Sequence, residues 1–154
     1  MKVKGILLAI LSVMILSCGT RKTINKDELV GTLNDYTTKV DGNTALKQAV
    51  SDGVLTDLQG AEDIGTYKIY VDYDKQTGDL VHIRNVEKTG NLRDENYYFK
   101  DNALVVAIVK SSVAKAKRIY LNKGKIISSS NIDSKEEDLL LTKAKRFQTE
   151  YKDN

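Results

Sequence analysis

The 154-residue chain carries 24 Lys and Arg against 21 Asp and Glu, with one His, one Cys and no Pro. That length fits one domain. A single cysteine excludes an intrachain disulfide, and the absence of proline argues against a proline-rich stalk or linker.

Lys2 and Lys4 precede an apolar run from Ile6 to Leu16 that only Ser12 interrupts, and the small Ser17 follows. A positive start, a short apolar stretch and a small residue at its end predict a secretory signal peptide over residues 1–17. The run falls short of the roughly 20 residues that cross a bilayer as a helix. Its last residues, Ile15-Leu16-Ser17-Cys18, resemble the lipobox of bacterial lipoprotein precursors, although Leu16 is bulkier than the small residue common there. The resemblance covers only this N-terminal stretch. It implies a diacylglyceryl group on the sulfur of Cys18, cleavage just before that residue and acylation of the new amino terminus. Gly19 stands where an Asp would favour retention in the inner membrane. The resemblance therefore implies a lipid anchor in the outer membrane, facing the periplasm. At about 0.8 kcal/mol per buried methylene, two or three acyl chains hold firmly. Cleavage also removes Lys2 and Lys4 and leaves a net charge near +1, so charge points to no nucleic-acid partner. Cys18→Ser is expected to abolish lipid labelling and to leave the precursor uncut by the lipoprotein peptidase; normal processing of that variant would overturn the anchor.

Residues 18–25 read as a lipidated tether too short to reach far from the membrane, and residues 26–154 as a single domain. Asn25 with Glu28 forms a capping pattern for a helix over Lys26 to Lys39, in which Leu29, Leu33, Tyr36 and Val40 recur at helical spacing. After a turn at Asp41-Gly42-Asn43, Leu46, Ala49 and Val50 predict a second short helix over Thr44 to Ser51. Gly53, Gly60 and Gly65 then mark an irregular segment. From Thr66 the period becomes two: Tyr67, Ile69, Val71 and Tyr73 alternate with Lys68, Tyr70 and Asp72, a half-buried strand. A turn over Asp74 to Gly78 leads to a return strand from Leu80 to Val86.

The pattern Tyr98-Phe99-Lys100-Asp101-Asn102-Ala103-Leu104-Val105 recurs 22 residues later as Tyr120-Leu121-Asn122-Lys123-Gly124-Lys125-Ile126-Ile127. Asn102 and Gly124 fall where a tight hairpin needs positive φ. Three consecutive hairpins follow, with Leu104 to Val109, apolar throughout, as a strand covered on both faces. Across Tyr97 to Ile127 the hairpins resemble MORN-like repeats but lack their regular glycine spacing, so no function is carried over. Ser134 and Glu137 predict a capped helix to Tyr151, with Leu140, Ala144, Phe147 and Tyr151 as its apolar stripe. The expected fold is α+β: an N-terminal helical segment, an antiparallel meander of about six strands, and a C-terminal helix packed on the sheet.

Chemistry-bearing patterns are sparse. His82 is the only histidine; it falls in a predicted strand, as a surface residue, with no Gly-x-Ser-x-Gly elbow in the chain. No run has zinc-ligand spacing and no glycine-rich phosphate loop is present, so neither cofactor nor metal is expected. The oxygens of Asp72, Asp74, Gln76 and Asp79 near Gly78 are explained by a solvated turn, because Gly78 is misplaced for a calcium loop and no Glu closes it. The sequence therefore points away from an enzyme. Its more distinctive pattern is aromatic. Tyr70, Tyr98 and Tyr120 alternate against the main apolar set of their strands, and Lys68, Lys100 and Arg118 share those positions. If uncovered, these six residues make an aromatic and cationic binding surface. The whole chain resembles small envelope lipoproteins. The expected function is that of a membrane-anchored, non-catalytic module binding an envelope protein. The alternative is a small-ligand or glycan binder with hydrolase-like relatives.

Overall fold

The computed structural model describes residues 25–152; the expected signal peptide, the expected lipidation site at Cys18 and most of the expected tether lie outside the described residues. Helix α1 spans Lys26–Asp41, and the side chain of Asn25 caps it by accepting from the Asp27 amide at 3.1 Å. Asp27 and Glu28 sit at the positive end of its dipole. Seven strands follow: β1 (Lys47–Thr56), β2 (Asp63–Tyr73), β3 (Leu80–Thr89), β4 (Asn91–Lys100), β5 (Ala103–Ser111), β6 (Lys117–Asn122) and β7 (Lys125–Ser130). Helix α2 (Ser134–Tyr151) ends the described chain. Its cap is Asp133, which accepts from the Glu136 amide at 2.9 Å, and not Ser134.

All seven strands form one antiparallel sheet in sequential order. The three hairpins read from the sequence are β2–β3, β4–β5 and β6–β7. The two tightest use Asp101-Asn102, with φ of 52° and 56°, and Lys123-Gly124, with φ of 51° and 73°. Positive φ at both central residues is the geometry that matches strand twist. The seventh strand, absent from the expected six, is β1. It replaces the helix expected over Thr44 to Ser51 and takes in part of the segment expected to be irregular. Leu46, Ala49 and Val50 fit helical spacing, and no local alternation marks a strand here. What decides is long-range: β1 pairs along its whole length with β2, from Lys47 opposite Tyr73 to Thr56 opposite Asp63. The β-branched Val50, Val54 and Thr56 also suit a pleated surface better than a helix.

Each face of the sheet carries one helix. Beneath α2 lie Ile69, Val71, Ile83, Tyr97, Phe99, Ala107, Val109 and Ile119, packed on Leu140, Ala144 and Phe147. Beneath α1 lie Tyr98, Val106, Ile108 and Tyr120, packed on Leu33 and Val40. Strand β5 is thus covered on both sides, Val106 and Ile108 by α1 and Ala107 and Val109 by α2. A cluster of charges fastens α2. The buried carboxylate of Glu95 meets Lys143 Nζ at 2.7 Å and Arg93 Nε at 2.6 Å, and accepts from Asn85 and from the Tyr97 hydroxyl. Lys143 also bridges to Glu87, and Arg93 to Glu136.

Candidate functional site

Strand register puts the three tyrosines of the expected binding surface on the α1 face. Asp72, His82, Tyr98, Val106 and Tyr120 form one row across the sheet, and Tyr70, Arg84, Asn96, Ile108 and Arg118 form the next. The helix then divides them. α1 lies against β5 and β7, leaving Tyr98 only 1% and Tyr120 only 6% exposed. Tyr98 donates its hydroxyl to Asp41 Oδ1 at 2.9 Å and Tyr120 to Asn34 Oδ1 at 2.8 Å, both on α1. The expected surface of Tyr70, Tyr98, Tyr120, Lys68, Lys100 and Arg118 therefore does not exist as one patch. Tyr98 and Tyr120 are core. Lys100 reaches over the ring of Tyr36 on α1, 5.9 Å from its centroid, and Arg118 is half-buried. Alternation tells which face a residue takes; it does not tell whether a helix lies on that face.

Only Tyr70 and Lys68 of the six lie on the half of this face that α1 leaves open, over β1, β2 and β3. The Tyr70 ring has Lys68 Nζ 5.5 Å and Arg84 Cζ 5.7 Å from its centroid. Val50 and Val54, 49% and 53% exposed, continue this area to the rim of the sheet.

Between the end of α1 and the sheet lies a cleft of about 560 Å³, lined by Asp41, Asn43, Gln48, Tyr70, Asp72, His82 and their neighbours. His82 is not the surface residue expected; it is buried. Its ring stacks on Tyr98 with centroids 4.6 Å apart and planes 25° from parallel. Its Nδ1 lies 2.9 Å from Asp72 Oδ2, and its Nε2 lies 3.2 Å from Asn96 Oδ1. The Asn96 amide is oriented by its own donation to Asp94, which Arg84 grips through two nitrogens. Gln48 on β1 donates to the other oxygen of Asp72 at 2.8 Å. Burial alone would raise the Asp72 carboxyl, but the hydrogen bonds from His82 and Gln48 and the proximity of His82 outweigh it, and the group is held below the usual carboxylate range. This row ties β1, β2, β3 and β4 together and fixes the imidazole in place. Asp74, at the start of the β2–β3 turn, serves the backbone: its Oδ1 accepts from the amides of Gln76 and Thr77. Asp72 and His82 flank that turn almost symmetrically, the one signal in the sequence that would have paired them. Asn96 enters only through the register of β4.

The rims of the sheet differ. β7 is a six-residue strand ending in three serines, whereas β1 has ten residues and carries Val50 and Val54. One side of β1 pairs with β2 and the other with no strand among the described residues. Its outward N–H and C=O groups form a ready template for another strand. Among the described residues no helix is long and apolar enough to cross a membrane, and no group of His, Cys, Asp and Glu is placed to hold a metal ion. No family model, curated protein or solved structure matches the chain.

Proposed function

We propose that the protein is a non-catalytic binding module of the bacterial envelope, held by lipid on Cys18 at the periplasmic face of the outer membrane. In this reading it takes an extended segment of an envelope protein along β1. The observation that carries it is the open ten-residue rim strand with two exposed valines. An exposed strand edge is a template for pairing with another chain, and strand addition is a recurrent way to bind extended segments.

A photo-crosslinking residue placed at Thr56 in the lipidated protein, in its own membrane, is expected to yield one discrete adduct. The same residue at Ser129 on β7 is expected to yield none. Adding Val50→Lys and Val54→Lys should remove the adduct while leaving the unfolding temperature within a few degrees, because both side chains are exposed. Equal adducts from the two rims, or none from β1, would sink the reading.

A second reading, a small polar ligand or glycan in the cleft beside His82, is favoured by the polar groups that converge there. It predicts ligand-induced shifts of the His82 ring resonances and of the Gln48 amide, with the amides of Asp52 to Thr56 unchanged.

A further inference from the structure

Resting on the reading that β1 accepts a strand, we propose that Asp52 decides which one. It selects a heterologous segment with Lys or Arg between two apolar residues, and it excludes a second copy of this chain.

The register of β1 on β2 fixes the sides. Val50, Asp52 and Val54 lie opposite Tyr70, Lys68 and Thr66, on the α1 side of the sheet. Ala49, Ser51 and Gly53 lie opposite Val71, Ile69 and Tyr67, on the other side. Residues directly opposite in an antiparallel pair share a face and touch. A strand added to the free edge therefore meets, on the α1 side, an apolar residue, an acid and an apolar residue at every second position. Two apolar side chains and a central cation complement that series. The Asp52 carboxylate is in no ion pair among the described residues. Its cross-strand neighbour Lys68 has its ammonium over the Tyr70 ring, 5.5 Å from the centroid. An incoming Lys or Arg would approach from the opposite side to Lys68.

The same series opposes self-association. Edge-to-edge antiparallel pairing of two copies matches both valines only when Val50 of each faces Val54 of the other. That register sets Asp52 directly against its counterpart, and like charges directly opposite are destabilising. Sliding by two residues in either direction relieves the acids but sets one valine of each copy against Asp52 and the other against Gln48 or Thr56; sliding by four leaves one valine of each copy facing Leu46 or Leu58, beyond the ends of β1. A slip of one residue would turn every side chain to the wrong face. The valines that make the rim adhesive are thus held apart in a homodimer by the residue between them.

The test uses the full lipidated chain in density-matched micelles. Two synthetic ten-residue peptides alternate Val with Ser and differ only in a central Lys or Glu. The Lys peptide is expected to bind about fivefold more tightly, with slowed exchange of the β1 amides, and Asp52→Lys should reverse that order. Asp52→Asn, at an exposed position, should turn a monomer into a dimer by sedimentation. Slowed β1 exchange with both peptides at equal affinity would overturn the selection by Asp52 and leave strand addition standing. No effect of either peptide on β1 exchange would overturn strand addition itself. An Asp52→Asn variant that stays monomeric would overturn the exclusion of a second copy.

Discussion

Lys143→Ala is expected to lower the free energy of unfolding by about 3 kcal/mol, read as a lower urea midpoint at an unchanged slope. Glu95 is 1% exposed, and its carboxylate is compensated by Lys143 and Arg93 together. Removing one cation leaves a buried charge with half its compensation; Arg93 remains, which places the loss at the lower end of what breaking a buried pair costs. The same cluster governs acid stability. Burial alone would raise the Glu95 carboxyl, but the charges of Lys143 and Arg93 and the amide of Asn85 outweigh it and hold the group below its usual range. In the unfolded chain that carboxyl takes up its proton near pH 4.3. As pH falls below that value the unfolded state binds the proton first. The stabilisation is therefore complete above the usual carboxylate range and is lost as pH falls through the lower folded value. Asp72, also lowered, acts in the same sense. Glu95→Gln should accordingly flatten the dependence of the unfolding midpoint on pH between about 2 and 5. An unaltered pH profile would show that folding does not lower the Glu95 carboxyl.

The second large effect concerns the tyrosines. Tyr98→Ala and Tyr120→Ala are each expected to cost about 3–5 kcal/mol, the range for removing a buried aromatic ring. Domains of this size are stable by only about 5–15 kcal/mol, so the double variant should lose its near-ultraviolet dichroism and fail to fold at 37 °C. Tyr98 loses its stack on His82 and its bond to Asp41; Tyr120 loses its bond to Asn34 and its packing under α1. Tyr98→Phe and Tyr120→Phe keep the rings and should cost about 1 kcal/mol each, the worth of one hydrogen bond. A double alanine variant with an unchanged unfolding temperature would return both residues to the surface and contradict the seat of α1.

Local features were legible in the sequence wherever local physics suffices. Period-two alternation over Tyr67 to Tyr73 marked β2, the hairpin residues Asn102 and Gly124 marked two turns, and Asn25 marked the start of α1. Each depends on residues within a few positions of one another. β1 depends on none of these. Leu46, Ala49 and Val50 fit helical spacing and not alternation, while its strand state comes from pairing with residues 63 to 73, so a short helix was the wrong expectation. The binding surface failed for a related reason. Alternation correctly put Tyr70, Tyr98 and Tyr120 on one face, but only the docking of α1, more than 50 residues away in sequence, separated the buried pair from the open one. His82 likewise gained its partners Asp72 and Asn96 through the registers of two neighbouring strands. The sequence by itself determined the two helices and three hairpins, because propensity, capping and turn geometry act over a few residues. Tertiary structure decided the seventh strand, the burial of Tyr98, Tyr120 and His82, and the open rim at β1, because strand pairing and helix coverage join residues that no local pattern connects.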